Sequence, residues 1–301
     1  MWPKETDWTS LKFGVEIEFI GGEPEHLELL PGWVMSLDER QIDETGEESG
    51  SELKTPPLLW GEREQIAVML ERLQAQGAAV NWSCGLHVHV GLEPWGERIL
   101  LPLLDAALAY QHALRALLRT AEHRLLFCPP VTAEMRDRCA AEASEDSVRR
   151  RGRPQSHRCG INAAAWFDIG TAEIRYANGS MDYQEILRTV QLCLRFIAAV
   201  GAGHKLSGKP HELAALLGVP ARGYPAPIAP PCWFRERTWL DNALIPLLAP
   251  MAGELVPGGE IHHILPYADG LSVAIEGDDG RLRRYALELP AAGWNIVRRI
   301  P

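Results

Sequence analysis

The 301-residue chain has no pair of cysteines at Cys-x-x-Cys spacing. Its six cysteines, Cys84, Cys128, Cys139, Cys159, Cys193 and Cys232, are scattered, which excludes a zinc ribbon and does not read as a disulfide framework. Neither GxxxxGK[ST] nor GxGxxG occurs, so the sequence offers no glycine-rich loop to cradle phosphate. Positive charge is in short supply: 30 Lys and Arg against 40 Asp and Glu leave a formal net charge of -10, which argues against a broad nucleic-acid-binding face. The ten tryptophans then read as packing rather than as base-stacking platforms. Long apolar runs are missing too. The most apolar stretches, Ile99 to Leu118 and Ile186 to Val200, are broken by Asp105, Gln111, Arg115, Arg188 and Arg195, as no lipid-spanning helix would favour. Met1 to Ser10 carries Lys4, Glu5 and Asp7 and lacks the apolar core of a secretory leader. Reduced thiols and these absences together predict a soluble, cytoplasmic protein without membrane or nucleic-acid partners. No repeat of fixed period and no long low-complexity tract is present.

What the chain does have is enough apolar residue, 46%, to bury a substantial core without help from metals or disulfides. Leu11 to Ile20 alternates as a strand, with Phe13, Val15, Ile17 and Phe19 on one side and Gly14, Glu16 and Glu18 on the other. A short strand is expected at Trp33 to Leu37, followed by a polar acidic loop from Asp38 to Ser51 and then by Glu52 to Leu58, which leads into Pro56-Pro57. A helix carrying Ile66, Met69, Leu70 and Leu73 follows and stops at Gly77. Gly85 to Leu92 alternates again, with Leu86, Val88 and Val90 opposite His87 and His89. Helices are predicted over Glu97 to Thr120 and Met135 to Arg150. A basic loop, Arg149 to Arg158, then precedes a strand pair at Cys159 to Phe167 and Thr171 to Tyr176. Asp182 and Glu185 have capping-box spacing and open a helix striped by Ile186, Val190, Leu194 and Ile197. The proline cluster from Pro210 to Pro231 marks a linker. The expected division is residues 1–204 as a catalytic α+β domain, 205–250 as a connecting segment, and 251–301 as a small β-hairpin-rich, barrel-like appendage.

Three strands each present a pair of functional groups at spacing two: Glu16 and Glu18, His87 and His89, Glu173 and Arg175. Residues i and i+2 of a strand share a face, so each pair is either jointly exposed or jointly aimed into a concave site. A lone Glu-x-Glu is usually a solvated face, and His-x-His alone suits several metals. Together the pairs describe an oxygen-rich set, with Glu52 added, that favours magnesium or manganese over a closed zinc site.

The segments FGVEIEF, ELKTPPL, CGLHVHVG and EIRYANGS, with RCGIN at Arg158 to Asn162, occur in an order that resembles the amidoligase family of the glutamine-synthetase-like carboxylate-amine ligases. The resemblance covers about residues 11 to 200. It implies an antiparallel sheet forming an active-site funnel packed with helices, and an ATP- and Mg2+- (or Mn2+-) dependent enzyme joining an amine to a small carboxylate or peptide substrate. Carried over by position, it implies Glu16, His87 and Glu173 as ligands of a metal bridging the ATP phosphates, and Glu18 and Glu52 as ligands of a second. Arg175 would contact the transferring phosphoryl group, with Glu18 and His89 as further catalytic groups. His87, Arg158 and Arg175 would hold the nucleotide, and Asp38, Asn162 and Asn178 the substrate. The residues after Asp38 depart from the family's glycine and serine, being Glu39 and Arg40. Arg149 to Arg158 is a lid candidate. A guanidino or other small-molecule kinase on the same fold, or a divalent-metal hydrolase, would use comparable residues, and the oligomeric state stays open.

Overall fold

The computed structural model describes residues 2–151, 159–277, 281–288 and 295–300, which fall into two compact units. The first, residues 2–150 and 159–229, is built on the strands β1 (Phe13–Phe19), β2 (Val34–Ser36), β3 (Gln41–Ile42), β4 (Glu48–Ser49), β5 (Ser51–Lys54), β6 (Gly85–Gly91), β7 (Ile161–Asn162) and β8 (Thr171–Asn178). Six of these form an antiparallel sheet in the order β2-β5-β1-β6-β8-β7, and β3 pairs with β4 as a hairpin inside the acidic loop. Its helices are α1 (Glu64–Ala75), α2 (Leu100–Leu117), α3 (Ala133–Ala141), α4 (Glu145–Val148), α5 (Ala165–Ile169), α6 (Tyr183–Gly201) and α7 (Pro210–Leu217).

Period-two alternation decides which face the helices cover. Phe13, Val15, Ile17 and Phe19 of β1, with Leu86, Val88 and Val90 of β6, are at most 1% exposed and belong to one continuous core. Helix α6 packs over β1 and β6, and α2 packs over β8. The ladder β5-β1-β6-β8 thus lies apolar side down, and the glutamates and histidines of the same strands share the opposite face.

Several boundaries differ from the sequence expectation. The strand expected at Cys159 to Phe167 stops after Asn162, where Asn162 Oδ1 accepts the Ala164 amide, and Ala165–Ile169 turns into a helix ended by Gly170 at φ +74°. The helix expected over Met135 to Arg150 is two short helices, because Ser144 caps a new start by accepting the Ser147 amide. The segment Glu52 to Leu58 is strand only as far as Lys54, where β5 ends ahead of Pro56-Pro57. The first unit runs on to Ala229, past the expected boundary at residue 204, because the proline-rich stretch contributes Leu213, Ala214, Leu217, Val219 and Tyr224 to the first core.

The second unit contains α8 (Cys232–Leu255), β9 (Glu260–Tyr267), β10 (Gly270–Glu276), β11 (Leu282–Glu288) and β12 (Asn295–Ile300). Its sheet has the order β12-β11-β10-β9, an open antiparallel meander; no β9–β12 pairing closes it into a barrel among the described residues. Leu248 and Ala252 of α8 bury against Ile264, Leu271, Val273 and Ile275 to make a separate small core. No helix among the described residues is long and apolar enough to cross a membrane.

Gly160 provides a test of how tightly the first core is packed. A Cβ there would lie 1.8 Å from Tyr176 Cε1, and Tyr176 is fully buried with its hydroxyl donating to Gln111 Oε1 at 3.1 Å. Gly160→Ala should lower unfolding free energy by about 1–3 kcal/mol through overpacking. Gly61→Ala, where no heavy atom lies within 4 Å, should stay within about 0.5 kcal/mol of the parent in urea titration.

Candidate metal and phosphate site

Cross-strand register brings the sequence pairs together. Glu16 lies opposite Lys54 on one side and His87 on the other, Glu18 opposite Glu52, and His89 opposite Glu173. Between Leu86 and Val88 the β6–β8 ladder slips, so that Arg175 and Tyr176 together face the single residue His87. This bulge has a steric consequence. Strict alternation along β8 would put Glu173, Arg175 and Ala177 on one face; the extra residue instead sets Ala177 beside core residue Leu86 and leaves Arg175 with Glu173.

Arg124 braces the bulge from within the protein. Only 2% exposed, it donates from Nη1 to Cys84 O at 2.8 Å and from Nη2 to Arg175 O at 3.3 Å, joining the two slipped strands. Its guanidinium lies so close to Gly85 that a Cβ there would come within 2.1 Å of Nη2. The bare Gly85 backbone also donates its N–H to the Glu18 carboxylate, which fixes that side chain.

Glu16, Glu18, Glu52, His87, His89 and Glu173 form one cluster. His87 Nδ1 lies 3.0 Å from Glu16 Oε2 and 3.6 Å from both Glu52 Oε1 and Glu173 Oε1, and His87 Nε2 lies 3.6 Å from Glu18 Oε1. His89 Nε2 is 3.3 Å from Glu16 Oε1 and 3.8 Å from Glu173 Oε1. Two cationic side chains enter. Lys54 Nζ reaches Glu52 Oε2 at 2.7 Å and Glu16 Oε1 at 3.5 Å, and Arg175 pairs with Glu173. Asn162 donates to Glu173 Oε2 at 2.9 Å, so it orients a carboxylate of the cluster. Lys54, Arg124 and Thr171, whose Oγ1 is 3.0 Å from His89 Nδ1, escape sequence reasoning. Lys54 has a usable signal, since it continues the period of two from Glu52; Arg124 has none.

Two other candidates lie apart from the cluster. Asn178 accepts from the Ala121 amide and donates to Arg119 O and Pro225 O at 2.9–3.0 Å, so its amide is spent tying backbone segments together. Asp38 sits in the exposed turn after β2. Arg158 and most of the Arg149–Arg158 lid candidate lie outside the described residues.

The charges shift one another. Burial alone would raise the Glu16 carboxyl, but the hydrogen bond with His87 and the charge of the closely approaching His87 and His89 rings hold it well below the usual carboxylate range. Burial and Arg175 both oppose a charge on His87, yet Glu18, Glu16 and Glu52 push its pKa up to about 9. Burial lifts Glu52, helped by repulsion from Glu16 and Glu18, whereas Arg175 and the histidines outweigh burial and keep Glu173 low.

The donor set fits a divalent cation. Glu16, His89 and Glu173, and likewise Glu16, Glu52 and His87, each offer one ligand atom within 4.8 Å of the others. His89 Nε2 is a buried nitrogen without a hydrogen bond, aimed at two carboxylates while its other ring nitrogen is held by Thr171. An imidazole held in this way by its second nitrogen is poised to ligate. The carboxylate oxygens suit Mg2+ or Mn2+, and the imidazole nitrogens are donors that zinc and other transition metals also accept.

A model of the family described as "Putative amidoligase enzyme" matches residues 27–197. The chain belongs to this family. No curated protein matches the chain significantly. Within the family match fall Glu52, His87, His89, Glu173 and Arg175, so most of the cluster is carried by the amidoligase segment itself.

The raised His87 value has a measurable consequence for the metal-free protein. Because the folded-state pKa lies above the ordinary histidine value near 6.5, protonated His87 contributes stability fully below about pH 6.5 and loses it as pH rises through about 9. NMR titration of the ring should find a midpoint near 9, and Glu16→Gln should bring it down; a midpoint near the ordinary value in the parent would show that His87 does not carry this charge.

Proposed function

We propose that the protein is an ATP-dependent carboxylate-amine ligase of the glutamine-synthetase-like type, forming an amide through an acyl phosphate. The observation that carries this reading is the convergence of Glu16, Glu18, Glu52, His87, His89, Glu173 and Arg175 on one face of a sheet in a chain of the amidoligase family. A carboxylate has no leaving group that an amine can displace. Its oxygen therefore attacks the γ-phosphorus, ADP departs, and the amine nitrogen attacks the acyl carbon to expel phosphate. Such transfers depend mainly on positioning and charge neutralisation, and need no covalent enzyme nucleophile.

A divalent cation, Mg2+ or Mn2+, held by the glutamates and histidines would neutralise the ATP phosphates. Arg175 is assigned to the transferring phosphoryl oxygens: its guanidinium is charged at any working pH and stands beside Glu173 and His87. Glu18, held by the Gly85 amide, is assigned to receive the proton that the attacking amine loses. His89 acts as a ligand with Glu16 and Glu173. Asn162 orients Glu173, so its effect on substrate is indirect. The substrates are a small-molecule amine and a carboxylate, free or on a peptide, and a cytoplasmic setting with ATP at hand suits the chemistry.

Incubation of the protein with Mg2+, ATP and a pool of amino acids, polyamines and peptides should yield ADP, phosphate and a condensation product by mass spectrometry. A phosphorylated acceptor without an amide would indicate a kinase, and turnover without ATP a hydrolase; either would overturn the ligase reading. His89→Ala and Arg175→Met should each reduce turnover by at least about 100-fold. Far-UV circular dichroism should stay unchanged in both.

A further inference from the structure

The two groups of ligand atoms share Glu16 but are not equivalent. In the group of Glu16, Glu52 and His87, positive charge is already present: Lys54 Nζ touches both carboxylates, at 2.7 Å from Glu52 Oε2 and 3.5 Å from Glu16 Oε1. His87 Nδ1 is engaged as well, 3.0 Å from Glu16 Oε2. Lys54 reaches this position by register, since it lies directly opposite Glu16 and shares a face with Glu52 two residues earlier.

In the group of Glu16, His89 and Glu173, the fixed cations are divided: Arg175 pairs with Glu173 Oε1, and Lys54 Nζ reaches only Glu16 Oε1, at 3.5 Å, its shorter contact being with Glu52. His89 Nε2, 3.3 Å from the same Glu16 oxygen, has no hydrogen bond. The ligands here are also oriented from behind: Thr171 Oγ1 holds His89 Nδ1 at 3.0 Å, and Asn162 holds Glu173 Oε2 at 2.9 Å. Outer partners of this kind fix the ring tautomer and aim the ligating atom.

We infer that Lys54 is the resident cation of the Glu16–Glu52–His87 group, so that the protein takes a single divalent ion, at Glu16, His89 and Glu173. The inference rests on the metal-dependent reading of the site. An ammonium and a divalent ion cannot share the two carboxylates of one small group without strong repulsion, and the tethered ammonium is always present. Lys54 thereby supplies part of the charge neutralisation for which a second ion would otherwise be required.

The test is the number of Mn2+ ions bound by the chelator-treated full-length protein, read from the loss of the free-ion electron paramagnetic resonance signal. The parent should bind one Mn2+ per chain, Lys54→Met should bind two, and Lys54→Arg, which keeps the charge, should bind one. Should Lys54→Met not fold, Lys54→Gln takes its place with the same expected count. Thr171→Val should weaken the single ion by about 10–100-fold. Two ions on the parent, or one on the folded Lys54→Met or Lys54→Gln protein, would overturn the inference. One ion with no ligation of any amine would leave it standing and refute the proposed activity, and ligation with two ions bound would do the reverse. No Mn2+ at all would overturn both.

Discussion

Four carboxylates cannot be held side by side out of water unless positive charge is placed among them. Glu16, Glu18, Glu52 and Glu173 are brought together by antiparallel register, and their side chains are between 5% and 17% exposed. Everything around them answers that constraint. Lys54 and Arg175 enter from the flanking strands, His87 takes up a proton that an isolated histidine would release near neutral pH, and the Gly85 amide turns its N–H to Glu18. What the protein itself supplies is deliberately short around His89, whose inward nitrogen has no hydrogen-bond partner. A site saturated with its own cations could bind no external one.

Holding this arrangement requires a rigid base, which the apolar side of the same strands provides. Each residue pair on the polar face alternates with core residues at most 1% exposed, so a side chain cannot turn away from the cluster without dragging Val15, Ile17, Leu86 or Val88 out of the core. The bulge at Arg175 adds a local adjustment that regular pleating could not give, and Arg124 secures it by bonding the Arg175 carbonyl on β8 and the Cys84 carbonyl just ahead of β6. Burying an arginine there is tolerable because its guanidinium donates to two backbone carbonyls, Cys84 O and Arg175 O.

The parts of this that were legible in the sequence are those governed by a period of two. Alternation in FGVEIEF and GLHVHVG fixes which side chains share a face, and the structure places Glu16, Glu18, His87 and His89 together as that pattern implies. Lys54 obeys the same rule beside Glu52, but a lysine near a strand end reads as solvated, and its role depends on a cross-strand partner that spacing along one strand cannot reveal. Arg124 and the bulge were illegible, since nothing local in EHRLLF distinguishes a buried arginine from an exposed one. Asn178 was misplaced for a related reason: proximity to Arg175 in sequence says nothing about the backbone segments at Arg119, Ala121 and Pro225 that consume its amide. The proline-rich stretch likewise reads as a linker by composition, although its leucines and Tyr224 are core residues of the first unit.

The asymmetry between the two halves of the cluster bears on how such sites are read in general. A list of carboxylates and imidazoles within reach of one another counts donors, and by that count the two groups here are equal. They separate once the fixed cations and the orienting hydrogen bonds are included. Lys54 pairs most closely with Glu52, at 2.7 Å, in one group, whereas in the other Thr171 and Asn162 spend their hydrogen bonds on the outer atoms of His89 and Glu173, with Glu173 Oε1 paired to Arg175 and His89 Nε2 left without a hydrogen bond. On the proposed reading this orientation from behind serves a ligand that arrives from outside, and it then separates the two groups more sharply than the number of acidic residues does.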